Sequence, residues 1–109
     1  MNKNEFNDKI DSTLTQIEDA IDNCDVDLDY ENTGGVFTIT IESNGSKVII
    51  NRQPPLSQLW VAAKSGGYHF NYDETSQTWI NNKDNNELFI ALSQYCTEQS
   101  DEPIILTSK

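Results

Sequence analysis

The spacing of apolar residues changes near residue 25, from a helical repeat to a two-residue alternation. Before that point, apolar side chains recur every three or four residues, which predicts an amphipathic helix over residues 5–24. After it, apolar and polar residues alternate in short segments, as in strands with one buried face. The predicted stripe of the helix consists of Phe6, Ile10, Leu14, Ile17, Ile21 and Cys24.

Six short segments carry the strand pattern, and turn residues separate them. Asn44-Gly45 is the dipeptide of a tight hairpin. Residues 52–55 are expected to break the sheet, because neither Pro54 nor Pro55 can donate a hydrogen bond to a ladder. The predicted strands cover residues 25–31, 36–42, 47–51, 58–63, 68–72 and 78–81.

A second helix is predicted over residues 84–99, with Asp84 and Glu87 as its capping box. The apolar tail at residues 103–106 is expected to lie against the helices. Helices at both ends of a run of antiparallel strands predict an α+β fold in a single domain, residues 1–109. This fold is a two-layer α-β sandwich with both helices on one face of a sheet of about six strands. The predicted inner stripe of the second helix is Leu88, Phe89, Leu92, Tyr95 and Cys96.

Acidic residues are concentrated at the start of the chain. Of its 18 Asp and Glu residues, ten lie within the first 31 positions, against only Lys3 and Lys9, and the net charge is −11. Such a surface attracts cations and basic protein patches, whereas it repels nucleic acid and anionic membranes. No apolar run approaches the roughly 20 residues of a bilayer span, and the N-terminus lacks a signal peptide, so we expect a cytoplasmic protein. Cys24 and Cys96 are expected to be free, mostly buried thiols.

Seven of these acids would form one carboxylate strip if the first strand runs beside the helix. Carboxylate oxygens suit hard cations such as Fe²⁺, Fe³⁺, Mn²⁺ and Ca²⁺, and we expect weak binding at an exposed surface. A solvated acidic face without a ligand is the alternative. An EF-hand is excluded because Tyr30 and Val36 stand where the loop needs Gly and Glu, and a buried di-iron site lacks its Glu-x-x-His motif. We call this set the acidic ridge: Glu18, Asp19, Asp22, Asp25, Asp27, Asp29 and Glu31.

Trp60 is predicted to point away from the core, because Leu59 and Val61 beside it point inward. An outward tryptophan indicates a protein-contact site, and a tryptophan covered by a loop is the alternative. Trp79 is expected in the core, and His69 has no partner for catalysis. The predicted outer face of the sheet carries Thr38, Thr40, Gln58, Trp60, His69 and Asn71, and the candidate contact residues are Asn51, Arg52, Gln53 and Trp60.

Four blocks of the sequence, residues 34–40, 44–53, 55–60 and 66–70, resemble the signature motifs of the frataxin family, and the short N-terminus resembles its bacterial members. The resemblance implies iron binding on the acidic ridge and a role in iron–sulfur cluster assembly. It also implies docking on the cysteine desulfurase and the scaffold protein, through the ridge and through Asn51, Arg52, Gln53 and Trp60. Asn23 departs from the acid usual in bacterial relatives.

The favoured hypothesis is a non-enzymatic, iron-binding regulator or adaptor, monomeric without iron, with iron donation as a further role. Glu18, Asp19 and Asp22 would also dock on a basic patch of the desulfurase. Other divalent or trivalent cations could replace iron. A ferroxidase or iron-storage protein and a plain acidic interaction module remain the alternatives.

Overall fold

In a computed structural model, which describes residues 2–108, the two helices enclose six strands in chain order. The strands form one antiparallel sheet in the order β1-β2-β3-β4-β5-β6, so every strand pairs with its sequence neighbour. The elements are α1 (Lys3–Asp22), β1 (Leu28–Thr33), β2 (Val36–Ile41), β3 (Ser46–Gln53), a 3-10 turn (Pro54–Leu56), β4 (Gln58–Ala63), β5 (Gly66–Asp73), β6 (Thr78–Asn81) and α2 (Leu88–Ser100).

Both helices cover the same face of the sheet, which confirms the predicted two-layer fold. Along β2 and β4, every second side chain is buried, including Phe37, Ile39, Leu59 and Val61. Trp79 is 2% exposed, so its predicted place in the core is confirmed. Over residues 2–108, neither helix combines the length and apolar character needed to cross a bilayer.

Helix α1 begins and ends two residues before its predicted bounds. Its first turn is fixed by a capping box, in which Glu5 N–H donates to Asn2 Oδ1 (2.8 Å) and Asn2 N–H donates to Glu5 Oε1 (3.1 Å). Asn23 ends the helix by donating from its side-chain amide to Asp19 O (2.9 Å). Cys24 therefore lies beyond the helix, where it is half-buried against the core.

The prediction that residues 25–31 form one strand is wrong at its start. Strand β1 begins at Leu28, so Asp25 and Asp27 belong to the link after α1. Exposure still alternates through the link, with Val26 half-buried between the two exposed acids. The predicted break at residues 52–55 is also shifted, because Arg52 and Gln53 complete β3 and the break is the turn that begins at Pro54.

Helix α2 starts later than predicted, because Glu87 itself is the N-cap. Its carboxylate accepts hydrogen bonds from the N–H groups of Phe89 (3.0 Å) and Ile90 (3.2 Å). Asp84 accepts from Asn86 N–H (2.9 Å) in the preceding turn, so the predicted capping box of Asp84 and Glu87 is wrong. The predicted inner stripe of this helix is buried as expected.

The C-terminal tail packs against α2. Ile104 and Leu106 are buried, and their N–H groups donate to the side-chain oxygens of Thr97 (2.9 Å) and Ser93 (2.8 Å). The predicted placement of the tail is confirmed on this helix.

Both cysteines are free, as predicted. Cys96 is buried, and this burial, followed by the nearness of Cys24, raises the pKa of its thiol to about 12. Cys24 is only half-buried and is the more accessible of the two.

We expect Glu87→Ala to lower the free energy of unfolding by about 1 kcal/mol, because two N–H groups at the start of α2 lose their acceptor. Urea denaturation followed by circular dichroism measures this loss. Asp84→Ala is the matched control and should cause a smaller loss, since Asp84 holds only the preceding turn. Equal losses in the two variants would contradict Glu87 as the N-cap.

Candidate functional site

The acidic ridge follows the chain from the end of α1 to the first strand of the sheet. Three of its acids lie in the last turns of α1, two in the link and two in β1. All are exposed except Glu18, which is half-buried. Strand β1 is an edge strand, so the ridge borders the side of the sheet.

The sheet register shows that the ridge bends around this edge. Asp29 pairs with Thr40 and Glu31 with Thr38, and both threonines lie between buried residues of β2. Asp29 and Glu31 therefore point to the outer face, whereas the acids of α1 lie in the helix layer. The predicted strip wraps a corner of the molecule and does not run over one flat surface.

Tyr30 lies between the two groups of acids. It pairs with Ile39, so it points toward the helices, and its ring stacks on Phe37 with centroids 5.7 Å apart. Desolvation raises the pKa of Tyr30 above its ordinary value, and nearby carboxylates raise it further. These carboxylates are Asp22, Glu18, Asp19 and Asp29, so both parts of the ridge act on one ring.

The ridge carboxylates form no side-chain hydrogen bond or ion pair within residues 2–108, where the one ion pair joins Arg52 to Asp11. Helix α1 has no basic residue in its last turn, although the partial negative charge of a helix C-terminus favours cations. Glu18, Asp19 and Asp22 therefore add to an unfavourable field that no part of the described chain neutralises. The described residues also contain no group of three or more metal-binding side chains arranged around one point.

Two further acids join the link end of the ridge. Glu42 and Glu102 line a polar cavity of about 320 Å³ together with Asp25 and Asp27. Glu42 could have been found from the sequence, because it is an acid at the end of the predicted strand 36–42, which directly follows the segment that carries the ridge acids. In the structure its N–H donates to Asp27 O (3.2 Å). Glu102 comes from the segment after α2, and no local pattern indicates its position.

Trp60 lies half-buried on the outer face of the sheet. Its neighbours across the ladders are Asn51 and His69. The indole stacks on the His69 ring, with centroids 4.5 Å apart and an interplanar angle of 9°, and its Nε1–H donates to Gln58 Oε1 (2.8 Å). These contacts hold the aromatic ring in a fixed orientation, and Gln53 extends the same face opposite Gln58.

Arg52 does not share that face. It pairs with Leu59, which is buried under the helices, and its side chain reaches α1. The guanidinium donates to Asp11 Oδ1 (2.9 Å) and to Asn7 Oδ1 (3.1 Å). The structure therefore brings Asn51, Gln53 and Trp60 together and places Arg52 on the opposite side of the sheet.

Neutralising Asp19 and Asp22 with asparagine should lower the pKa of Tyr30, because both carboxylates oppose its ionisation. The pKa should stay above its ordinary value, since desolvation is the larger cause. Titration of the Tyr30 ring signals by NMR measures this change. The matched control, Glu74→Gln with Asp84→Asn, removes the same charge beyond β5 and should leave the pKa unchanged. Equal decreases would point to net charge alone.

Comparison with known proteins relates this architecture to one family. Residues 1–102 match the family described as a frataxin-like domain. The Pseudomonas aeruginosa protein named iron-sulfur cluster assembly protein CyaY is 49% identical over 104 residues, covering 95% of both chains. A Vibrio cholerae protein of the same name is 46% identical over 104 residues, covering 95% of this chain and 97% of its own.

A solved structure shows the same architecture. Frataxin from Psychromonas ingrahamii superimposes with a TM-score of 0.87 at 36% sequence identity, covering 98% of this chain and 99% of its own. Sequence and fold agree over nearly the whole length, and this chain belongs to the frataxin family.

Proposed function

We propose that this protein serves iron–sulfur cluster assembly as a non-enzymatic adaptor that binds iron and docks on the complex of cysteine desulfurase and scaffold protein. The names of its relatives give the process. The observation that carries the mechanism is the acidic ridge, whose carboxylates form no hydrogen bond or ion pair in the described chain. Carboxylates that stabilise no other part of the fold are available to a ligand.

Iron is the cargo of the ridge in this proposal. The donors are carboxylate oxygens, which suit Fe²⁺ and Fe³⁺ and would also accept other hard divalent or trivalent cations. Because the ridge bends around the sheet edge, few of its carboxylates can reach the same ion. Binding is therefore weak, exposed and spread over several positions.

The ridge also docks on a basic patch of the desulfurase, chiefly through Glu18, Asp19 and Asp22. The opposite charges of the ridge and the basic patch speed the encounter of the two proteins, and dissolved salt screens this attraction. The association is therefore fast and sensitive to ionic strength. Bound iron lowers the negative charge of the ridge, so the metal and the desulfurase influence each other's binding. The protein thereby acts as an iron-responsive regulator, and release of the metal to the complex makes it an iron donor.

A second contact uses the outer face of the sheet, where Asn51, Gln53 and Trp60 meet the scaffold protein. The indole is half-exposed and held by His69 and Gln58, so little side-chain freedom is lost when a partner covers it. Arg52 supports this contact indirectly, because it ties β3 to α1. The protein works in the cytoplasm and is monomeric without iron.

Anaerobic titration with Fe²⁺, followed by amide NMR, tests the metal surface. Signals between Glu18 and Glu31 should broaden first, while those of Trp60 and His69 stay unchanged. Asp19→Asn with Asp22→Asn should weaken the broadening around the end of α1. Losses centred on His69, or uniform small changes along the chain, would contradict iron binding at the ridge.

Charge reversal tests the docking surface. Asp19→Lys with Asp22→Lys should weaken binding to purified cysteine desulfurase by about tenfold or more at low salt, and the difference should shrink as salt is added. Isothermal titration calorimetry at two ionic strengths measures both effects. Glu74→Lys with Asp84→Lys makes the same change in net charge elsewhere and should bind nearly as well as the unaltered protein. Equal weakening in both variants would leave net charge, and not the ridge, as the cause.

A further inference from the structure

A groove runs between α2 and the C-terminal tail, away from both surfaces described above. Its volume is about 580 Å³, and its lining includes Ile90, Gln94 and Glu98 of α2 and Ile104, Ile105 and Leu106 of the tail. The ridge lies on α1 and β1, and Trp60 lies on the outer face of the sheet. A ligand in the groove would therefore leave both of those surfaces open.

Two isoleucines of the groove are exposed to solvent. Ile90 is 54% exposed and Ile105 is 71% exposed, and the only other large apolar residue exposed in the described chain is Leu56. The tail hydrogen bonds hold Ile104 and Leu106 against α2, and in an extended segment the intervening side chain points the opposite way. The packing that buries the two neighbours thus holds Ile105 outward. Two exposed apolar side chains that line one groove and are rimmed by polar groups offer a partner a contiguous apolar surface.

One end of the groove is acidic. Glu98 lines it, and Asp101 follows directly at the end of α2. No basic residue stands in the last turn of this helix, although its C-terminus carries partial negative charge. This end attracts a cation and repels an anion. A second copy of the chain, with a net charge of −11, is a poor occupant for the same reason.

We infer that this groove is a docking site for a short extended segment of a partner protein that carries apolar side chains followed by lysine or arginine. From Ile90 to Glu98 the helix rises about 12 Å, which matches about four residues of extended chain. The apolar side chains cover Ile90 and Ile105, and the basic residues reach Glu98 and Asp101. The inference is independent of iron binding and of the desulfurase.

The test uses two synthetic peptides and the full chain. One peptide alternates isoleucine and threonine over four residues and ends in two lysines, and the other ends in two glutamates. In amide NMR titrations, the lysine peptide should cause saturable shifts at Ile90, Thr97 and Ile105, with a dissociation constant on the order of 1 mM or tighter. The glutamate peptide should bind about tenfold more weakly or worse.

Variants distinguish peptide binding in the groove from nonspecific binding elsewhere on the surface. Ile90→Ser with Ile105→Ser should abolish the shifts, and Leu56→Ser, which changes an equally exposed residue outside the groove, should leave them intact. Glu98→Lys should reduce the preference for the lysine peptide. Thermal unfolding of each variant shows that the fold persists, since all four positions are exposed.

Three results would overturn the inference. The first is the absence of saturable shifts with the lysine peptide, and the second is equal affinity for both peptides. The third is a set of groove shifts that depends on protein concentration without any peptide, which would identify a second copy of the chain as the occupant.

Discussion

The inner face of the sheet is apolar and the outer face is not, and the two helices cover only the first. Burying a side chain such as Phe37, Ile39 or Leu59 contributes about 1.5–3 kcal/mol to the free energy of unfolding. A sheet with its other face toward the helices would lose this contribution. The same alternation pushes Trp60 outward. It also forces the acids of β1 to the outer face while those of α1 stay in the helix layer. The positions of both candidate surfaces therefore follow from how the core is buried.

The ridge works against the stability of the helix that carries it. Acids in the last turn of α1 meet the negative end of the helix dipole, and no base compensates them. Each exposed charge of this kind lowers the stability of the fold by less than about 1 kcal/mol. This cost is small beside the free energy gained by burying Phe6, Ile10 or Ile17. The apolar side of the helix anchors it firmly enough for the other side to carry charge that does not help folding.

Local periodicity predicted the elements well, because a helix stripe and a strand alternation are both set by neighbouring residues. It could not predict features that depend on partners far along the chain. Strand β1 pairs with β2 only from Leu28 onward, so Asp25 and Asp27 keep the alternation without belonging to the strand. Glu102 reaches the link through the packing of the tail.

Side-chain direction was the other gap between sequence and structure. Arg52 stands between Asn51 and Gln53 in the sequence, yet the alternation of the strand places its side chain on the opposite face. There its guanidinium donates to Asn7 and Asp11 of α1. An extension of β3 through the predicted break would have indicated this, because the alternation from Ile50 continues to Arg52.

Strand β1 leaves one side without a neighbouring strand in the described chain. An unpaired strand edge is a template on which strands of other molecules can assemble, and charged side chains are a common protection against such aggregation. Asp29 and Glu31 stand on that edge, so these two carboxylates of the acidic ridge also hinder two molecules from joining edge to edge. Protons or metal ions that neutralise them remove this protection at the same time. The solubility of the protein and the charge state of its acidic ridge are thus linked through a single strand.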